Sequence, residues 1–319
     1  MRSAVGKGML LALAAACVSG CTVFVNSYGV AEFSSATVYT TAKNAVAGVV
    51  LLAVLVPLAM SRTGGRGLEL TRPQSGRQLL GLAVVAVVGG GVAFVLFFEG
   101  LSRIASDNTA LQAQFIQKTL VIWVAVLAVV LLRERVGPLQ LVAVAVLVTG
   151  QAVLAGGGSA VFHISFGRGE YMVLAATVLW SIETVVAKTL LAALSPWTIA
   201  LTRMVGGSAL LIAWVTITGN ASQLLNMSGD QWKWVLATGA GLALYVALWF
   251  AALSLAPAVS VTAVLVAAVP VTAVLDAMVK HEPLRPQLDG QAIVLVGAAL
   301  AFVATLLTRR LQPVRVAAD

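Results

Sequence analysis

Asn108 to Leu132 reads NTALQAQFIQKTLVIWVAVLAVVLL, an apolar run of 25 residues with Lys118 near its middle. As a helix it rises about 37 Å, enough to cross a hydrocarbon core of about 30 Å. An ammonium at that depth costs roughly 2.5 to 3.5 kcal/mol on insertion scales, so Lys118 needs a partner or a task. Nine further runs of similar character surround this one. The first five cover residues 8–28, 38–60, 79–98, 108–132 and 138–157. The second five cover 171–191, 198–218, 234–255, 258–279 and 290–307. Polar and glycine-rich breaks separate them, among them Ser61 to Arg66, Gly156 to Ser159 and Asn226 to Asp230. The expected fold is an all-α membrane protein of ten transmembrane helices.

Composition agrees. Hydrophobic residues make up 60% of the 319 and charged residues only 10%, far from the roughly 25% charged residues of soluble domains. The net charge of +8 does not indicate nucleic acid, because the basic residues fall in short segments between apolar runs and form no patch. With a cytoplasmic N-terminus, inside segments hold 12 lysines and arginines and outside segments hold 5, the other three of the 20 lying within spans. The positive-inside rule therefore places both termini in the cytoplasm and the chain in the cell membrane as a multi-pass protein. Cys17 and Cys21 share one face of the first helix and resemble neither a disulfide framework nor a metal site. The Val18-Ser19-Gly20-Cys21 tetrad looks like a lipoprotein signal, but the apolar run continues past it through Val25, which reads as a first transmembrane helix.

The two sets of five match each other. Ala15-Ala16 aligns with Ala175-Ala176 at an offset of 160, which also carries Lys43 onto Arg203. Phe97-Phe98-Glu99-Gly100-Leu101-Ser102 aligns with Trp249-Phe250-Ala251-Ala252-Leu253-Ser254 at 152, and Glu134 aligns with Glu282 at 148. Five spans per copy force the second copy to insert upside down. The expected domains are a first repeat over 1–157, a second over 168–308, and a cytoplasmic tail over 309–319. Inverted repeats are the architecture of many secondary transporters, with the substrate site near the midplane between the halves.

The pattern resembles the drug/metabolite transporter superfamily, specifically its EamA-type members. The residues that carry the resemblance are Leu131-Leu132-Arg133-Glu134-Arg135-Val136 followed by Gly150, and Pro270-Val271-Thr272-Ala273 through His281-Glu282-Pro283-Leu284 followed by Gly297. Span six, Ala175 to Ser181 with Lys188 after it, fits as well. The resemblance covers nearly the whole chain and implies a permease with a bias toward efflux. Two departures stand out: Gln117-Lys118 falls near the place where the family usually has a proline, and span one lacks the usual tryptophan before Gly20.

Six ionisable residues lie in or at the edges of the spans: Lys43, Asp107, Lys118, Glu183, Arg203 and Asp276. Three are cationic and three anionic, so mutual neutralisation into a structural network is one reading. Span four suggests more. Asp107, Leu111, Gln114 and Lys118 are spaced to share one helical stripe with Gln117 beside it, and so polar a stripe reads as the wall of a water-filled cavity. Lys118 can then meet a substrate carboxylate or phosphate; its alternative is a salt bridge to Glu183 or Asp276. Glu183 and Asp276 are candidate proton carriers, and Glu183 can instead pair with Arg203. Lys43 and Arg203 are candidate cavity cations by symmetry. Trp180, Tyr245 and Trp249 are candidate cavity rings, and Pro270 is a candidate hinge because it removes a backbone hydrogen bond in mid-span. Glu134 and Glu282, beside basic residues at span ends, read as interfacial.

Other classes fit poorly. His163 and His281 sit in loops of opposite halves with no cysteine or acidic motif to form a catalytic or metal site. No long soluble segment suits a receptor or scaffold, and no Walker-type loop binds nucleotide, so any energy comes from a gradient or a partner. The expectation is a secondary active transporter of small polar or amphipathic metabolites, such as amino acids or organic acids, or of drugs, working by proton-coupled efflux without a cofactor. Uptake or exchange without proton coupling is the alternative, with a polytopic receptor or scaffold as a remote one. Lipid-facing and partner-facing apolar surfaces look alike in sequence, so no oligomeric state is assigned.

Overall fold

Inside a bilayer every backbone N–H and C=O needs a partner, and a helix supplies one within the segment. The computed structural model describes residues 2–60, 70–104, 109–155, 166–280 and 288–311, and among these it is helical with no strand. Spans one and two are α1 (Arg2–Ala31) and α2 (Ala36–Met60). Span three joins α3 (Gly76–Val84), a π-helical stretch (Val85–Val92) and α4 (Ala93–Leu101). Span four is α5 (Thr109–Lys118) with α6 (Leu120–Leu131), and span five is α7 (Pro138–Ala155). Spans six and seven are α8 (Arg168–Leu190) and α9 (Pro196–Ile217); a short α10 (Ala221–Leu225) follows in the polar connection. Span eight is α11 (Gly229–Leu255), span nine α12 (Ala258–Leu265) with α13 (Ala268–Lys280), and span ten α14 (Leu288–Leu311). Eight of these spans are long and apolar enough to cross a membrane, and two shorter apolar helices, Phe115–Leu131 and Pro138–Leu154, complete the ten. Large side chains left exposed, such as Leu10, Leu80, Val130 and Ile217, are apolar, as a surface solvated by lipid tails allows.

Helix starts follow local chemistry. Ser195 accepts from the Thr198 N–H and is followed by Pro196, while Ser228 and Gln231 form a reciprocal capping box.

Helix pairing shows the inverted duplication in space. Span one packs on span eight as span six packs on span three, and span two meets span eight as span seven meets span three. Span one also meets span nine as span six meets span four. Spans two and seven, four and nine, and five and ten pair across the pseudo-twofold. Where spans three and seven cross, Gly90 and Gly207 bring the backbones together: a Cβ on Gly90 would lie 2.5 Å from the Arg203 carbonyl oxygen and 2.8 Å from Gly207 Cα.

Spans four and nine are each broken, at positions 148 residues apart. Span four yields at Thr119, whose N–H is shared between Phe115 O and Ile116 O at 3.3 and 3.2 Å and whose hydroxyl donates to Ile116 O at 2.6 Å. Span nine yields at Val266–Ala267, four residues before the kink expected at Pro270. Pro270 has no N–H to give the Val266 carbonyl, so the Val269 N–H reaches Val266 O at 3.1 Å in a tighter turn. Span four breaks at the matching place without a proline, and the stripe expected on one continuous helix therefore ends at Lys118.

Glu134, half-buried at the end of span four, also caps a helix. Arg133 turns the chain through a left-handed conformation (φ 53°), the Glu134 N–H reaches back to Ala128 O at 3.0 Å, and the Glu134 carboxylate accepts the Ala258 N–H at 3.0 Å at the start of α12. An acidic group at a helix N-terminus satisfies its free amides and favours its dipole. An L-residue held left-handed costs roughly 1–2 kcal/mol, which glycine avoids. Arg133→Gly is therefore expected to raise the melting temperature of the purified protein by the equivalent of about 1 kcal/mol; an unchanged or lower value in a thermal-unfolding scan would deny this account.

Candidate substrate cavity

Lys118 ends α5 at the break in span four, so its side chain leaves the helix at mid-depth and enters the space between the two halves. A cavity of about 260 Å³ lies there. Its wall includes Gln117 and Lys118 from span four, Trp180, Glu183 and Thr184 from span six, Arg203 from span seven, and Tyr245 and Trp249 from span eight. Ser19, Thr22 and Asn26 from span one and Thr262 from span nine complete its polar surface, with Phe94 from span three beside them.

One ion pair crosses this wall. Arg203 Nε donates to Glu183 Oε1 at 2.7 Å, and both side chains are nearly buried. Its geometry depends on span three. The Ala93 N–H bonds five residues back to Val88 O, and where such wide pairing returns to α-helical pairing one carbonyl loses its backbone donor. Gly89 O accepts instead from Trp180 Nε1 at 3.0 Å and from Arg203 Nη2 at 3.5 Å. Gly89 has no side chain because the Glu183 carboxylate lies against it. Phe94 stands under the Arg203 guanidinium, 5.6 Å from ring centroid to Cζ, and packs edge-on against Trp180. Tyr245 and Trp249 stack at 6.3 Å.

Lys118 has no such partner. Among the described residues it forms an ion pair with neither Glu183 nor Asp276. Gln117, Lys118, Trp180, Glu183, Arg203, Tyr245 and Trp249 thus meet in one cavity, while Lys43, Asp276 and Pro270 are not in its lining. Lys43 is buried one layer behind the wall, its ammonium 5.2 Å from the Tyr39 ring centroid. Asp276 lies on α13 outside the lining, and Pro270 is buried in the same helix. Gln114 belongs to α5, but its side chain, like Asp107, His163, His281, Glu282 and the loops 61–66 and 156–159, lies outside the described residues.

The family model described as the EamA-like transporter family matches residues 6–156 and again 167–309, one match per half. The chain belongs to the EamA-like transporter family. It is a multi-pass membrane protein with a transport function. A crystal structure titled only as that of a protein superimposes on this EamA-like chain with a TM-score of 0.74 at 17% sequence identity, covering 92% of this chain and 97% of the other; that likeness concerns the fold alone. No curated protein matches the sequence.

Two contributors to this EamA-like site carry weak sequence signals. Asn26 looks like an ordinary polar residue near a helix end, and Gly89 like one of three packing glycines. The offset of 160 does offer one clue: Lys43 matches Arg203, but the residue matching Glu183 is Val23.

Proposed function

We propose that this EamA-like protein is a secondary active transporter that exports a small anionic or zwitterionic metabolite, such as an amino acid or organic acid, by proton-coupled alternating access. The carrying observation is Lys118, a cation in a cavity whose described carboxylate, Glu183, is paired with Arg203 and not with Lys118. An unpaired ammonium in low dielectric is costly, and a substrate carboxylate or phosphate offsets that cost on binding. The volume of about 260 Å³ lies just below the roughly 300–1,000 Å³ of pockets for drug-sized ligands, which favours a metabolite over a bulky drug. Trp180, Tyr245 and Trp249 supply apolar contact for an amphipathic substrate.

In this reading the repeats 1–157 and 168–308 rock against each other around the breaks in spans four and nine, with Pro270 as part of the hinge. The chain sits in the cell membrane with both termini and the tail 309–319 in the cytoplasm, supported by the lysine and arginine bias. Efflux is supported by the resemblance to drug/metabolite permeases. Glu183 is the proton carrier: a proton taken up on the outer side frees its carboxyl from Arg203, and loss of that proton on the inner side restores the Arg203 pair. Exchange without protons is the second reading, favoured by the 2.7 Å Arg203–Glu183 contact, which already neutralises the acid in place.

A thermal-shift screen of purified protein against amino acids, organic acids and cationic drugs tests the substrate class. Anionic or zwitterionic compounds are expected to raise the melting temperature and cationic drugs to leave it unchanged. A response confined to cations would overturn the reading.

A further inference from the structure

Asn26 lines the cavity from span one. Behind it, on the side away from the cavity, stand two donors. The Tyr39 hydroxyl lies 2.7 Å from Asn26 Oδ1, and the Lys43 ammonium lies 3.5 Å from the same oxygen. An ammonium has only hydrogens to offer, so the amide must turn its oxygen, and not its nitrogen, toward Lys43. The Tyr39 ring is itself held, 2% exposed, with its hydroxyl 3.0 Å from Thr238 Oγ1. With the oxygen occupied from behind, Asn26 Nδ2 points the other way, and no described residue accepts its hydrogens. Asn26 thus presents donors to the cavity and carries the influence of Lys43 with them.

The charge count has the same sense. Lys43 occupies in the first half the place of Arg203 in the second, but Val23 stands where the acid would be. Lys43 is 8% exposed, and its partners among the described residues are Asn26 Oδ1 and the Tyr39 ring, neither of them an acid. Among the described residues the cavity wall and the layer behind it hold Lys118 and Lys43 without paired carboxylates and Arg203 with Glu183, an excess of two formal positive charges. A water-excluding cleft of one sign attracts ligands of the other. Asn26 and Lys118 reach this cavity from different helices, span one and span four.

We propose that Asn26, oriented by Lys43 and Tyr39, is a second anion-binding subsite, and that the substrate of this cavity carries two acidic groups, as a small dicarboxylate does. The first acidic group meets Lys118, so this inference rests on the reading of Lys118 given above. The second accepts hydrogen bonds from Asn26 Nδ2, with the Lys43 charge behind the amide. Such a substrate brings the two negative charges that the wall lacks.

Titration calorimetry on the purified full-length protein tests the subsite with malonate, succinate and glutarate as dicarboxylates of increasing reach, lactate as a monocarboxylate and alanine as a zwitterion. At least one dicarboxylate is expected to bind about tenfold or more tightly than lactate, a gain of ~1.4 kcal/mol. Asn26→Asp changes one group from donor to acceptor, pairs readily with Lys43, and is expected to bring the dicarboxylate-to-lactate ratio to about one through like-charge repulsion. Lys43→Met, which removes the charge but keeps the stem, is expected to lower the same ratio. A wild-type ratio near one with lactate still bound overturns the second subsite and leaves the Lys118 reading standing. Survival of the preference in Asn26→Asp also overturns it. Failure of lactate, alanine and all three dicarboxylates to bind overturns both.

Discussion

Lys118→Met is expected to make the protein more stable and to stop it transporting. The two effects have one cause. A lysine at mid-span costs roughly 2.5–3.5 kcal/mol on insertion scales, and methionine has a similar stem without the charge. Because Lys118 has no ion-pair partner among the described residues, the substitution orphans no carboxylate, and the melting temperature rises. The substrate, by contrast, loses a charge-assisted hydrogen bond with its counter-ion, worth about 3 kcal/mol or roughly a hundredfold in affinity. Scanning calorimetry and uptake into proteoliposomes read the two quantities separately. Opposite movement is the signature of a binding residue; if stability and transport both fall, Lys118 is a structural element of span four, and if transport persists at the wild-type rate the cavity role is wrong.

Substrate-driven acidification is expected to vanish in Glu183→Gln while substrate still binds. Glutamine keeps an oxygen for Arg203 Nε, now 2.7 Å from Glu183 Oε1, and fits against Gly89 as the glutamate does, so the wall keeps its shape. It cannot release or take up a proton. A pH-sensitive dye inside proteoliposomes should show the proton signal reduced by at least about tenfold, the equivalent of ~1.4 kcal/mol. Stability should fall as well, because removing one partner of a buried pair leaves the other charge uncompensated, at a cost of about 3–5 kcal/mol when no hydrogen bond survives. The double variant Glu183→Gln with Arg203→Gln should recover part of that loss without recovering proton movement. Proton flux at the wild-type level in Glu183→Gln would remove Glu183 as the carrier and favour exchange without protons.

Much of the cavity was legible before any coordinates. Lys118, Gln117, Glu183 and Arg203 announce themselves because polar groups in an apolar run are expensive and therefore informative. Asp276 shows the limit of that signal: it is as conspicuous in sequence as Glu183, yet it lies on the far part of span nine, outside the lining. Asn26 shows the opposite failure. It sits near a helix end where asparagine is unremarked, and only the approach of Tyr39 and Lys43 gives its amide a direction. The span-four break was hidden because a threonine, unlike a proline, does not prevent a helix; Thr119 breaks it through a hydroxyl bonded to Ile116 O, a choice settled by surroundings.

The number of spans, the duplication and the family are properties of the sequence by itself, since the free energy of placing a residue in lipid depends mainly on that residue and its depth. Pairing of the charges belongs to the tertiary structure alone. Lipid tails are about as apolar as leucine, so hydropathy does not mark which face of a span looks inward. Which cation meets which acid then depends on how closely helices approach. The contact of Gly90 with Gly207 and the seat that Gly89 leaves for Glu183 join Arg203 to its acid, and Lys118, on the broken helix, lines the cavity without an ion-pair partner among the described residues.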